Sequence, residues 1–121
     1  MHSKSMVRTA LLVASVLTAL GAPLAAHHGW TGYDEKNPLT LSGTVKASEY
    51  ANPHAFVELD VNGKVWHVVL APTSRMQARG LTREMLKAGT KAIVVGYANR
   101  QTPTELRAER ITIGDKTTEL R

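Results

Sequence analysis

The sequence predicts an all-β domain with one short helical segment, and three observations carry that prediction. Asn62-Gly63 stands between two runs of alternating apolar residues. Asn-Gly there is a strong hairpin signal, because a type I′ turn needs positive φ at both central residues. Next, a patch with helical spacing and glycine stops separates the third alternating run from the fourth. Finally, Gly43 interrupts the first run at the point where a strand shared by two halves of a small barrel has to bend. Five strands with a helix between strands 3 and 4 is the plan of the OB-fold, so the expected architecture is a five-stranded OB-like β-barrel.

Residues 1–26 read as a secretory signal peptide. Lys4 and Arg8 open the chain without an acid, Thr9 to Leu20 is almost continuously apolar, and small residues follow around Ala22 to Ala26. The apolar stretch is too short for a permanent membrane span. Cleavage after Ala26 avoids Pro23 at the critical positions and makes His27 the first residue of a periplasmic or secreted protein. Residues 27–121 suffice for one domain with one core. Losing Lys4 and Arg8 lowers the formal charge from +5 to +3, with no basic run, which argues against a nucleic-acid partner. Cysteine is absent. Stability must then come from the core, and a soft metal would need His or Met.

Residues 27–38, HHGWTGYDEKNP, form an N-terminal arm without a period, pinned by Trp30 and Tyr33. Residues 39–121 are the barrel. Its first strand, Leu39 to Ala47, turns Leu39, Leu41, Val45 and Ala47 inward. With Asn62-Gly63 as the loop, Leu59 faces Trp66, Val57 faces Val68 and Ala55 faces Leu70 on the inner side. His54, Phe56, Glu58 and Asp60 then share the outer side with Val65, His67 and Val69. Ser74 and Gln77 are spaced as a capping box for a turn stopped by Gly80. Thr82 as N-cap, a Leu81–Leu86 staple and Gly89 mark a second helix of about two turns. Met76 and Met85 fall in this segment as core fillers. Lys91 to Ala98 is a fourth strand, apolar enough for cover on both sides. Leu106 to Ile113 is the fifth, and its inward set slips phase near Glu109 or Arg110, which asks for a bulge. Lys116 to Leu120 can add an edge piece.

HHGW at the mature start, NPH before the second strand, VVLAPTSRM after the third and RGLTREMLKAG before the fourth together resemble a family of small exported bacterial proteins known only as a domain of unknown function. The likeness covers residues 27–121. It implies an exported single-domain β-barrel without an assigned activity, and supplies no catalytic residue.

Chemistry must therefore come from the histidines. An N-terminal His27 offers its α-amine and ring Nδ1 to one ion, His28 offers a second-position imidazole, and nitrogen donors of this kind favour copper. His54 and His67 lie four residues apart in register, roughly 13 Å at about 3.3 Å per residue, too far for one ion. The candidate metal set is His27, His28 and His54, with copper or another late transition metal as cofactor. Glu58 and His67 form a surface cross-strand pair. The structural alternative is that Asn52-Pro53-His54 serves only its turn and that the first two histidines are idle. No nucleophile motif or phosphate loop is present, and Asp34-Glu35 sit among polar residues, so an enzyme is not expected. The rival to a metal protein is a metal-free interaction module, or an accessory subunit, docking a cell-envelope protein or ligand on the outer strand face around Phe56 and the loop Asn99 to Pro103.

Overall fold

A computed structural model describes residues 29–121, so the predicted leader and His27 and His28 lie outside the described residues. The elements are β1 (Leu39–Glu49), β2 (Phe56–Val61), β3 (Lys64–Val69), α1 (Thr73–Ala78), a 3-10 turn (Arg83–Leu86), β4 (Lys91–Ala98), β5 (Glu105–Ile113) and β6 (Lys116–Glu119). The strands run β3-β2-β1-β4-β5, and a parallel pairing of β3 with β5 closes them into a barrel. β6 is added antiparallel to β5.

The hairpin has the predicted register: Val61 pairs with Lys64, Leu59 with Trp66 and Val57 with Val68. Asn62 and Gly63 both take positive φ, and the Asp60 carboxylate accepts from the Gly63 N–H at 2.8 Å. Ala55, Val57, Leu59, Trp66, Val68 and Leu70 are buried, joined in one core by Val45, Met76, Leu81, Leu86, Val94, Leu106 and Ile111.

Closure depends on two glycines. β1 pairs with β4 through Leu39 to Thr44 and with β2 from Thr44 onward, and Gly43 stands at the switch, where a Cβ would collide with the Asp60 carbonyl. On β4, Val95 faces Arg110 but Gly96 faces Ala108, so Glu109 is the extra residue of the predicted bulge.

Four expectations need correction. Ala47 is exposed, because a bulge between Val45 and Ala47 reverses the phase of β1. The capping box does not form: α1 already includes Thr73, which places Ser74 inside the first turn, and Asn52 Oδ1 instead accepts from Thr73 Oγ1 at 3.0 Å. The second helix is a single 3-10 turn without a Thr82 side-chain cap, although Leu81 and Leu86 are both buried. It cannot lengthen, because Gly89 N–H and Thr90 C=O are already bonded to Val45 at 2.8 Å, drawing the chain into β4. Finally, the outer side of β4 is covered only toward its Tyr97 end, where Tyr97 is buried, whereas Ile93 on the same side is 44% exposed.

The free edge beside β6 is covered from α1. Arg79 donates to the Glu119 carbonyl at 2.7 Å and Arg75 to the Leu120 carbonyl at 2.9 Å. The backbone acceptor of Glu119, at the end of the edge strand, is thereby occupied.

Candidate functional site

The outer face of β2, β3, β5 and β4 carries most of the polar chemistry. Residues opposite one another in a ladder point the same way, so Phe56, Val69, Arg107 and Tyr97 form one row across the four strands. One step along, Glu58, His67 and Glu105 form a second. The predicted Glu58–His67 pair is present, with Oε1 2.7 Å from Nδ1, and Phe56 tilts against the His67 ring at a centroid distance of 4.5 Å.

The arm crosses the β4–β5 half of this face, held by the two aromatics that the sequence singles out. Tyr33 bridges to Asn99, and its hydroxyl donates to Glu105 Oε2 at 2.8 Å, an oxygen that also accepts from Asn99 Nδ2. Burial, and then Glu105, push the Tyr33 phenol up to about 12. Trp30 meets Tyr97 edge-on at 5.8 Å and receives the guanidinium groups of Arg107 and Arg121 on its ring at 4.7 and 4.4 Å.

Tyr33 has a measurable consequence. An unfolded tyrosine ionises near 10, so between that value and about 12 the unfolded chain loses its proton first, and stability falls as pH rises through this window. Tyr33→Phe should flatten that loss between pH 10 and 12 in urea titrations, and the ultraviolet phenolate signal should lose its latest step. An unchanged alkaline profile would place Tyr33 in solvent.

His54 lies one step beyond Phe56 at the arm-covered end. Arg107 Nη2 stands 3.2 Å from His54 Nε2, and Nη1 donates to the Gly29 carbonyl at 2.6 Å. A guanidinium has donors only, so Nε2 accepts and the imidazole proton sits on Nδ1. Burial first, then the charges of Arg107 and Arg75, hold His54 below the ordinary histidine value, in its neutral form. Arg107 itself is 6% exposed, and its Nε–H is buried with no acceptor among the described residues. No carboxylate among the described residues stands within 4.0 Å of Arg107 or Arg75, whereas Arg121 pairs with Glu35 at 2.7 Å.

Of the predicted metal set, His54 is placed at the foot of the arm, while His27 and His28 lie outside the described residues. His54 and His67 serve separate partners, as their register requires. The residue that sequence reasoning missed is Arg107. It occupies an outward position of an alternating strand, where an arginine ordinarily points into solvent, and nothing local marks it as buried.

A family model described as "Family of unknown function (DUF6152)" matches residues 14–107. No curated protein matches the chain. Among solved structures, the crystal structure of the ZRD-deleted mutant of TiaS in complex with agmatine is similar at 19% identity and a TM-score of 0.54, over 72% of this chain and 27% of that one. The crystal structure of a complex of TiaS with a tRNA and ATP is similar at 23% identity and a TM-score of 0.49, over 73% of this chain and 19% of that one. The chain thus spans about a quarter or less of the solved chains it resembles. The first likeness is one of fold alone.

Proposed function

The chain belongs to the DUF6152 family of unknown function, and on that premise we propose that it is an exported, non-catalytic binding module whose ligand end is where the arm meets β2 and β5. In the leading form, His27, His28 and His54 hold copper or another late transition metal once cleavage after Ala26 frees the His27 amine. One observation supports it above the others: a single guanidinium touches both the Gly29 carbonyl and His54 Nε2. Two acceptors on one guanidinium lie within roughly 8 Å of each other, so the chain at Gly29 passes close to the imidazole. The depressed protonation of His54 favours the neutral ring that a metal needs.

Arg107 sets a condition on this. A metal-bound neutral imidazole keeps its proton on the other nitrogen, so neither mode of ligation leaves Nε2 able to accept from Arg107. Metal uptake through His54 therefore requires the guanidinium to withdraw. Intact mass of the exported protein should show His27 as first residue. Titration with Cu(II), followed by visible absorption, should saturate at one equivalent, and His54→Ala should weaken binding by more than about tenfold. Equal affinity in both proteins rejects His54, and a different first residue rejects the amine chelate.

The resident Arg107–His54 contact favours a second form: a metal-free module that takes a ligand or envelope partner on the outer strand face beside Phe56. The loop from Asn99 flanks that face, tied to it through Glu105.

A further inference from the structure

Arg107 presents an imbalance that its neighbours among the described residues do not resolve. A buried charge is costly unless an opposite charge or a full set of hydrogen bonds meets it. Its guanidinium has a backbone carbonyl, an imidazole nitrogen and the face of Trp30, while Nε–H is buried with no acceptor among the described residues. Arg75 adds a second cation close enough to bear on both Arg107 and His54. Arg75 is exposed and spends Nη1 on the Leu120 carbonyl, without a carboxylate partner among the described residues. The lone pair of His54 Nε2 is taken by Arg107, so its remaining polar group, Nδ1–H, is a donor as well. Three side chains thus gather donors and positive charge at one end of the face, and no acceptor of opposite charge among the described residues answers them.

The floor beside them is apolar. Val69 lies between Arg107 and Phe56 in the same row, and both Val69 and Phe56 are only half-buried. A small, strongly hydrated anion would gain nothing from that strip, whereas a planar carboxylate fits the forked donors of arginine and brings an organic body to cover it.

We propose that Arg107, Arg75 and His54 form a receptor for an organic carboxylate whose apolar body lies along Val69 and Phe56. This rests on the outer face being the ligand face, the second form above, and does not need a metal. The carboxylate supplies the missing counter-charge and competes with the Gly29 carbonyl for the guanidinium. While it is bound, His54 stays in its Nδ1–H tautomer, so carboxylate and metal exclude each other.

The exported protein, stripped of metal and desalted, would be titrated with benzoate and, separately, with inorganic phosphate, following backbone and arginine side-chain resonances by NMR. Saturable benzoate shifts confined to Phe56, Val69, Arg107 and His54 are expected, with phosphate at least about tenfold weaker. Arg75→Gln, at an exposed position that leaves the core untouched, should weaken benzoate by about fivefold to tenfold while the spectrum stays folded. Absence of saturable benzoate shifts, phosphate binding tighter than benzoate, or unchanged affinity in Arg75→Gln would each overturn the proposal. If benzoate saturates at other residues, the outer-face reading itself falls. Copper binding to the same sample is measured separately and decides only the metal form.

Discussion

Gly96→Ala should cost about 3 kcal/mol or more, at or above the upper end for overpacking substitutions. A Cβ at this position would collide with the Arg107 carbonyl and lie 2.8 Å from Ala108 Cα. Both obstacles are backbone, so no side chain can swing away to make room. The β4–β5 ladder would have to part at the Glu109 bulge, next to the strand that closes the barrel through β3. In a domain of this size, 1 kcal/mol corresponds to roughly 4–8 °C in Tm, so a fall of more than about 12 °C is expected by calorimetry. Gly32→Ala is the control: its nearest neighbour would be Asn99 Nδ2 at 3.9 Å, an ordinary contact, and its effect should stay within about 0.5 kcal/mol. Similar losses in the two variants would show that the bulge relaxes around a methyl group.

That bulge is legible in the sequence because it is a break in a period of two: Leu106 and Ala108 point inward, then Ile111, and only one extra residue reconciles them. The hairpin is legible for the same reason, an Asn-Gly turn and two alternating runs fixing one register between them. The helical caps are not. The acceptor for Thr73 comes from Asn52, 21 residues away, and competes with a local Ser74–Gln77 pattern that looks complete by itself. The length of the second helix is equally hidden, since Val45 claims the backbone of Gly89 and Thr90 from across the barrel.

The site follows the same rule. Trp30 and Tyr33 are readable as anchors because aromatic rings in a polar arm have few other uses, and the Glu58–His67 pair follows from register. Arg107 is not readable. Its partners His54 and Gly29 are 53 and 78 residues away, and they meet it only because β3 closes on β5 and the arm returns over that seam. Alternation says which face a residue occupies, but not what a distant segment will lay on top of it.

Removing that guanidinium tests the whole end of the barrel, and two replacements separate its charge from its bulk. Arg107→Ala should destabilise by about 2–3 kcal/mol: it leaves a void under Trp30 and takes the donor from both the Gly29 carbonyl and His54. Arg107→Met keeps most of the stem and removes a buried cation that has no carboxylate partner among the described residues, so its cost should stay below about 1 kcal/mol. Both should unlatch the arm, seen as faster amide exchange at Trp30. Burial and Arg107 together depress His54. The unfolded chain therefore binds a proton first on acidification, and stability drops as pH falls from about 6.5 toward the lower folded value. With the charge gone and burial retained, Arg107→Met should raise the NMR-titrated pKa of His54 part of the way back and shrink that acid loss. If His54 titrates identically in wild type and Arg107→Met, the two side chains do not meet in solution, and neither the arm's latch nor the site built on it survives.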